Sequence, residues 1–402
     1  MTDQEFVYLD NNATTPLDPV VIEEMVPFLM KYYGNPSSGY AFAAQARKAV
    51  DLARERLAAL LGCEPSEIVF TSGGTESNNA VIQSALQFEP RGKFATGRIR
   101  RGRHVVTSAV EHSAVLRPCQ DAEKRGCAVT FLGVDQDGNV DIAELEAAIR
   151  PETALVSMMW ANNETGVLFP VEKIAEMCRS KGVLFHTDAV QAVGKIPIRL
   201  RDTAINFLSL SAHKFHGPKG VGALYVSRRA RFTPLLAGGG QENGRRGGTE
   251  NVAGIAGLGK AAELATKCLA EGKCSVRSMR DRFEKSVLKT VSGASVNGAG
   301  APRIPNTSSL SFGGIESSAA LLLLDRHGIC CSAGSACRTG SQEASHVLRA
   351  MNPNGDGARR SLRFSFSRFN TEAEIDRAIE IVPKVIEKLR KTATPTPVAT
   401  TL

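Results

Sequence analysis

The chain has 402 residues, 43% hydrophobic and 22% charged, which is enough for a large core in two domains or in one with a sizeable appendage. No stretch approaches the roughly 18 consecutive apolar residues of a membrane span, and the acidic start MTDQEFVYLD lacks a signal-peptide pattern, so we expect a cytoplasmic protein without membrane contact. The formal charge of +8 is spread along the chain, which disfavours nucleic acid as a partner.

Short apolar runs alternate with amphipathic helical patterns from residue 67 to about residue 226. The predicted strands are 67–71, 104–108, 128–132, 154–158, 183–187, 205–211 and 222–226. Helical stretches such as TESNNAVIQSALQF and VEKIAEMCRSKG separate them. This alternation predicts an α/β domain with a largely parallel mixed sheet that is flanked by helices on both faces.

The pattern changes at about residue 250, where a smaller α+β domain is predicted. Its elements are helices over 251–272, 316–328 and 371–390, and strands near 293–296, 307–312 and 361–367. The predicted division is 1–20 for an N-terminal segment packing on the small domain, 21–255 for the large α/β domain, 256–390 for the small domain, and 391–402 for a disordered tail.

Cysteines and one basic run are the remaining compositional features. Nine cysteines, an odd number, do not indicate a disulfide framework, and we expect most of them to be reduced, small apolar residues. The run RGKFATGRIRRGR (91–103) has five Arg and one Lys without an acid. A solvated surface loop is the simpler interpretation, and contact with RNA or an acidic partner is the alternative.

Polar residues follow the predicted strands, where open α/β sheets collect their ligands. Gly73, Gly74 and Thr75 open a helix after the first strand, as in an anion seat but also as in many ordinary turns. Asp188 follows the strand 183–187, where it could bind a ligand or simply cap a helix. The residues at the other strand ends are Glu111 and His112, Asn162 to Glu164, and His213 with Lys214.

Together these strand ends match the requirements of pyridoxal phosphate. Its phosphate needs N–H and hydroxyl donors, its ring nitrogen needs a carboxylate, and its aldehyde needs a lysine for a Schiff base. A lysine at the end of a buried strand is costly unless it is solvated, paired or used as a nucleophile. Lys214 is therefore the candidate Schiff-base lysine.

Ten motifs occur in a fixed order along nearly the whole chain. They are YLDNNATTPLD (8–18), GNPSS (34–38), TSGGTESNN (71–79), VEH (110–112), NNETG (162–166), HTDAVQAVGK (186–195), SAHKFHGPKGVGALY (211–225), RRGGTENV (245–252), SAGSACRTGS (332–341) and LRFSFSR (362–368). In this order they resemble the cysteine desulfurases of the NifS/IscS type, which are fold-type I pyridoxal phosphate enzymes of the class V aminotransferase group. The wording of the motifs resembles the nitrogen-fixation (NifS) branch more than the housekeeping one.

The resemblance implies a role for each matching residue. For the cofactor, Lys214 would hold it covalently, Asp188 would pair with the ring nitrogen, Gln191 would bind the ring oxygen, and His112 would stack on the ring and move protons. The implied phosphate ligands are Gly74, Thr75, Ser211, His213 and, across a homodimer interface, Thr249. Asn163 and Arg363 would bind the substrate carboxylate, with Asn163 also touching the cofactor and Asn35 also contacting the substrate.

Cys337 is the nucleophile that the resemblance implies. It lies in a Gly-, Ser- and Ala-rich stretch with little to pack, as a mobile loop would require, although an idle thiol is the simpler alternative. The implied reaction converts L-cysteine to L-alanine and leaves a persulfide on Cys337. An acceptor such as an iron–sulfur scaffold protein would then receive the sulfur for iron–sulfur or nitrogenase cofactor assembly. No resident metal is expected, although Cys337 could contact an iron–sulfur cluster during transfer.

The sequence departs from the family pattern at several positions around that loop. Cys330 and Cys331 replace small residues and are predicted to end a strand, with a disulfide or sulfur relay as the alternative. Arg338 replaces a usual threonine and would favour the Cys337 thiolate. Two further substitutions, Ala333 for serine and Asn243 for arginine, are expected to affect loop energetics or the dimer interface.

Two other classes of function remain open from the sequence. A selenocysteine lyase or another class V aminotransferase-type enzyme would bind the same cofactor but would keep its activity without Cys337. The other class is a basic, non-catalytic protein that binds RNA or a scaffold. Such a protein would have no reason to keep Lys214, Asp188, His112 and Cys337 together.

Overall fold

A computed structural model of the chain describes residues 6–87, 103–272, 276–333 and 344–392. Three of the predictions fall outside these ranges. They concern Cys337 with Arg338, the basic run apart from its last residue, and the tail beyond residue 392.

The described residues form twelve α-helices and twelve strands, which are numbered separately along the chain. The helices are α1 (Pro19–Met30), α2 (Ala44–Leu61), α3 (Gly74–Gln87), α4 (Ser113–Lys124), α5 (Ile142–Ala148), α6 (Val171–Ser180), α7 (Val252–Ala270), α8 (Val276–Thr290), α9 (Ser317–Arg326), α10 (His346–Met351), α11 (Gly357–Arg360) and α12 (Glu372–Thr392). The strands are β1 (Val7–Tyr8), β2 (Ile68–Thr71), β3 (His104–Ser108), β4 (Ala128–Leu132), β5 (Thr153–Ser157), β6 (Leu184–Asp188), β7 (Phe207–Ser211), β8 (Gly222–Val226), β9 (Ala294–Val296), β10 (Thr307–Phe312), β11 (Ile329–Cys330) and β12 (Ser361–Ser365).

A seven-stranded sheet carries the functional edge of the molecule. Its strand order is β2-β8-β7-β6-β5-β3-β4, and β8 alone runs opposite to the other six strands. The prediction of a largely parallel mixed sheet flanked by helices is confirmed. Strands β2, β3, β7 and β8 are buried along their whole length, which is why their sequences are nearly continuous apolar runs.

Helices cover both faces of this sheet and make two separate apolar cores. One core joins the sheet to α2, α6 and α7 and includes Leu57, Ile174 and Leu258. The other lies between the opposite face and helices α3 and α4, with Val81 and Val115 at its centre. Parallel strands need crossover connections, and α3, α4 and α6 provide three of them.

Helix α7 packs closely on α2 because it carries a glycine at the crossing. A Cβ atom at Gly259 would lie 2.4 Å from the Cα atom of Ala53, so only glycine allows this approach. The apolar side chains of α7, among them Ile255 and Ala262, belong to the core of the large sheet. The domain boundary predicted after residue 255 falls inside this helix, and the division into domains stays a prediction.

The C-terminal part of the chain builds a second core on a small antiparallel sheet of order β12-β10-β9. Helices α8, α9 and α12 contribute to this core, which includes Phe283, Leu324 and Ile386. The N-terminal residues Val7 and Leu9 are part of it, because β1 pairs in parallel with β11.

The segment after β1 contacts both sheets. The backbone N–H of Asn11 donates to Ser365 O at 3.2 Å in the small sheet, and that of Thr15 donates to His213 O at 3.0 Å beside the large one. Residues 11–15 therefore lie at the junction where the strand ends collect the predicted site residues. Within the described ranges, none of the helices combines the length and the apolar composition needed to cross a bilayer.

Candidate active site

Asp188 ends β6 and is fixed in place by two hydrogen bonds. Asn78 Nδ2 in α3 donates to Asp188 Oδ2 at 2.7 Å, and the Val190 N–H donates to Oδ1 at 3.0 Å. The carboxylate is buried, and it forms no ion pair with any described residue. A buried carboxylate is costly without a cation, so the site suits a ligand that brings a protonated nitrogen.

The start of α3 lies where the sequence allowed either an anion seat or an ordinary turn. The N–H groups of Gly74 and Thr75 have no acceptor within the described part of the chain, as expected for the first turn of a helix. A Cβ atom at Gly74 would lie 2.5 Å from Val190 Cγ2 and 3.9 Å from Ser211 Cβ. The glycine therefore lets this turn approach both strand ends, and the hydroxyl of Ser211 faces the same place.

Lys214 follows β7 in a short 3-10 turn, and its amine points to the N-terminal segment. Nζ donates to the carbonyl oxygens of Asn12 at 2.6 Å and Ala13 at 2.8 Å. These two carbonyl oxygens orient the amine toward the junction of the strand ends, where a nitrogen nucleophile would meet an aldehyde.

Gln191 shares an acceptor with Lys214. Its Nε2 atom donates to Asn12 O at 2.9 Å, and the side chain of Asn12 in turn donates to Asn163 O at 3.1 Å and to Thr307 Oγ1 at 2.8 Å. Asn12 is fully buried, so these bonds are not replaced by water. One asparagine thus connects the strand ends of the large sheet with the small sheet.

His112 begins α4 as its N-cap residue. The ring Nδ1 accepts a hydrogen bond from the Ala114 N–H at 3.2 Å, which leaves the proton of the neutral ring on Nε2. Burial lowers the pKa of His112, and Lys214 and His346 lower it further, while Asp188 raises it. The ring is therefore held neutral with a defined tautomer, as a group that moves protons requires.

Arg363 in β12 lies across from Asn163. Its Nη1 donates to Asn163 O at 2.9 Å and its Nη2 pairs with Asp10 Oδ1 at 2.6 Å. The Nε–H is buried and has no hydrogen-bond partner. The side-chain amide of Asn163 bonds to none of the described residues, so both residues keep donors for a carboxylate.

Three further predicted site residues make their described contacts outside this group. His213 turns toward Thr14, with Nδ1 3.1 Å from Thr14 Oγ1, and burial followed by nearby lysines lowers its pKa to about 4. Thr249 is exposed and lines a cavity of about 160 Å³ with Ser72. Asn35 is exposed, and its side chain accepts only the local N–H of Ser37 at 2.9 Å.

Two buried carboxyl groups near the site were not assigned any role from the sequence. Burial raises the pKa of Glu111 to about 8, and its Oε2 atom has no partner. Burial likewise raises the pKa of Glu164 to about 7, although a hydrogen bond from Ser345 opposes the shift. The sequence did contain a signal for both carboxyl groups. Glu111 is adjacent to His112 and Glu164 to Asn163, and both pairs come shortly after predicted strands.

The departures from the family pattern have local explanations where the structure describes them. Cys330 ends β11 and Cys331 follows it, both half-buried free thiols whose pKa is raised mainly by burial. Asn243 has φ 55, in the left-handed region that asparagine tolerates better than most residues. Ala333 packs on the small core.

Comparison with known proteins agrees with this arrangement. The family model described as aminotransferase class-V matches residues 7–378. A cysteine desulfurase from Nostoc sp. is 51% identical over 384 residues, which cover 96% of this chain and 94% of the relative. A solved NifS-like protein has a TM-score of 0.86 at 37% identity, covering 96% of this chain and all of its own. SspA, solved in complex with cysteine, has a TM-score of 0.77 at 35% identity, covering 90% of this chain and 99% of its own.

Proposed function

The chain belongs to the class V aminotransferase family, within its cysteine desulfurases, and on that basis we propose that it moves the sulfur of L-cysteine to the thiol of Cys337. Members of this family use pyridoxal phosphate. The observation that carries the proposal furthest is the buried carboxylate of Asp188, which has hydrogen-bond donors but no ion pair among the described residues, together with the amine of Lys214 and the first turn of α3.

The residues present fit this cofactor. Lys214 would hold its aldehyde carbon, Asp188 its ring nitrogen, and Gln191 its ring oxygen. Gly74, Thr75, Ser211 and His213 would bind its phosphate, with Thr249 contributed by the partner subunit. When it is bound, the cofactor supplies an electron sink for negative charge that develops on the substrate.

The chain's own groups then act on L-cysteine. The unpartnered Nε–H of Arg363 and the amide of Asn163 bind the substrate carboxylate and orient the Cα proton. The amine of Lys214, which two backbone carbonyl oxygens hold at the junction, accepts that proton. His112 holds a proton on Nε2 for return to the product.

Cys337 carries the sulfur away. Its thiolate attacks the sulfur of the substrate, an S–S bond forms, and the C–S bond breaks with its electron pair left on the substrate carbon. Protonation of that carbon gives L-alanine, and the enzyme retains a persulfide. An acceptor thiol or cluster scaffold then takes the outer sulfur. Service to iron–sulfur or nitrogenase cofactor assembly in the cytoplasm is the setting that we propose.

A homodimer is part of the same proposal. Large apolar side chains on α1 and on the following segment are exposed at one face, at helical spacing along α1. They are Ile22, Val26, Leu29, Met30, Tyr33, Tyr40 and Phe42. The Tyr33 and Phe42 rings meet edge to face at 5.1 Å, so the patch is continuous. A second copy of this chain would bury it and would bring Thr249 to the neighbouring phosphate.

Mass spectrometry of the intact protein tests the central step. After incubation with L-cysteine and without reductant, the protein should gain the mass of one or more sulfur atoms, and the gain should map to the peptide containing Cys337. Cys330→Ala is the matched control and should gain the same mass. A gain that survives Cys337→Ala would contradict the proposal and would favour a lyase that does not need this thiol.

A further inference from the structure

Lys195 is a half-buried lysine next to the proposed cofactor site, and the proposed function gives it no role. It follows Gln191 by four residues in the turn after β6. Its Nζ atom donates to Gln191 Oε1 at 2.5 Å and to Asn12 Oδ1 at 3.2 Å. It forms no ion pair with a described residue, so these two amide oxygens are the partners that hold it.

The electrostatic surroundings of Lys195 are unfavourable for a purely structural lysine. Burial lowers its pKa well below the ordinary value, and the cations of Lys214 and Arg363 lower it further. A cavity of about 60 Å³ adjoins it and is lined by both lysines. A methionine side chain would fill this position without the free-energy cost of burying an amine. The two hydrogen bonds that Lys195 donates therefore explain why an amine is present.

Those hydrogen bonds fix which way the Gln191 amide faces. The amine of Lys195 donates one N–H to each of two acceptors. The acceptor on Gln191 is Oε1, so the amide oxygen faces the lysine. The Nε2 atom then faces Asn12 O, which also accepts the amine of Lys214. If the amide were reversed, N–H groups would face the lysine and the amide oxygen would face a carbonyl oxygen, which is repulsive on both sides.

We propose that Lys195 is a positioning residue that holds the Gln191 amide so that the second N–H of Nε2, the one not donated to Asn12 O, is available to the cofactor's ring oxygen. This inference rests on the proposed function, because it assigns Gln191 to that oxygen. Lys195 also contacts the Asn12 side chain, which ties the same orientation to the junction with the small sheet. Its effect on cofactor binding therefore passes through Gln191.

A double-mutant cycle on cofactor binding tests this inference. The dissociation constant of pyridoxal phosphate is measured by absorbance titration of cofactor-free protein for wild type, Lys195→Met, Gln191→Ala and the double variant. Lys195→Met should weaken binding about tenfold in the wild-type background, since an amide oxygen loses its donor. In the Gln191→Ala background it should weaken binding less than about twofold. The visible absorption band should shift in the same direction in both single variants.

Lys260→Met is the matched control, because Lys260 on α7 is also half-buried but pairs with Glu263 outside the proposed site. It should leave binding unchanged. The same weakening by Lys195→Met in both backgrounds, or none in either, would overturn the inference. If Lys195→Met does not fold, the cycle is run with Lys195→Gln, whose shorter side chain loses the contact, and the same outcomes decide. A wild type that binds no cofactor would overturn both the inference and the proposed function.

Discussion

The amine of Lys214 lies 2.6 Å from the carbonyl oxygen of Asn12, although 202 positions separate the two residues in the sequence. The lysine comes from the end of a strand in the large sheet. The asparagine comes from the segment that leaves the small unit. Asn12, which lies outside the large sheet, therefore positions the amine of Lys214. The contact between the N-terminal segment and the large sheet determines where that amine points.

Asn12→Ala should loosen that junction. The variant keeps the backbone oxygen but loses the buried side-chain bonds to Thr307 Oγ1 and from Asn306 Nδ2, and the part-buried bond to Asn163 O. We expect the free energy of unfolding to fall by about 2 kcal/mol, from two or more buried hydrogen bonds lost, and cofactor binding to weaken. Urea titration of the cofactor-free protein measures the first effect. Asn35→Ala, at an exposed asparagine, is the control for stability, and an equal loss there would contradict the account.

Arg363→Lys should raise KM for L-cysteine about tenfold or more while the cofactor stays bound. Lysine keeps the charge but loses the planar fork that reaches Asn163 O, Asp10 and a carboxylate together. Steady-state sulfide release measures KM, and the visible absorbance measures bound cofactor. Arg282→Lys replaces a half-buried arginine on α8 that pairs with Glu372, and should change neither. An unchanged KM in Arg363→Lys would remove this residue from substrate binding.

Glu111→Gln should change how stability depends on pH. Burial raises the pKa of Glu111 in the folded protein from its ordinary value of 4.5 to about 8, so the folded state holds an extra proton between these pH values. Its contribution to stability is complete below pH 4.5 and is lost as the pH rises through 8. The variant should therefore gain Tm relative to wild type as the pH rises through this range.

Thermal unfolding followed over that pH range checks the sign. Glu144→Gln, at an exposed position in the first turn of α5, should keep a constant Tm difference from wild type. A Tm difference for Glu111→Gln that does not grow with pH would mean that Glu111 is already ionised in the folded protein.

Met30→Glu should shift the protein toward the monomer. Met30, the last residue of α1, is 76% exposed within the apolar patch, and a charge there would be buried against the second copy. Sedimentation velocity measures the change. Leu322→Glu, on α9 and 56% exposed, places the same charge on the small unit and should leave the oligomer unchanged. A wild type that sediments as a monomer would contradict the proposed dimer.

Strand ends were predictable from the sequence because each has a local signal. A buried apolar run followed by a polar residue identifies both the strand and the residue at its end, and in this way Asp188 and Lys214 could be located. Six of the seven strands of the large sheet begin within one residue of the prediction, and β7 begins two residues later, at Phe207. The prediction included Ile205 and Asn206, but these residues precede Phe207, where the pairing of β7 with β6 starts.

The contacts made by Asn12 and Lys195 could not be predicted in the same way. Both act through hydrogen bonds between residues far apart in the chain, and one of the acceptors is a backbone carbonyl, which carries no sequence signal. The close packing of α7 on α2 could not be predicted either. In a sequence, a glycine that permits close approach of two helices cannot be distinguished from one that ends a helix. Tertiary contacts decide such features.

Sulfide and L-alanine release from L-cysteine, measured with a reductant for wild type and for Cys337→Ala, tests the central claim most directly. Both proteins should bind pyridoxal phosphate, shown by their visible absorbance. We predict equal amounts of sulfide and alanine from wild type and neither product from the variant. A variant that retains activity would contradict the account, because sulfur would then leave L-cysteine without passing through Cys337.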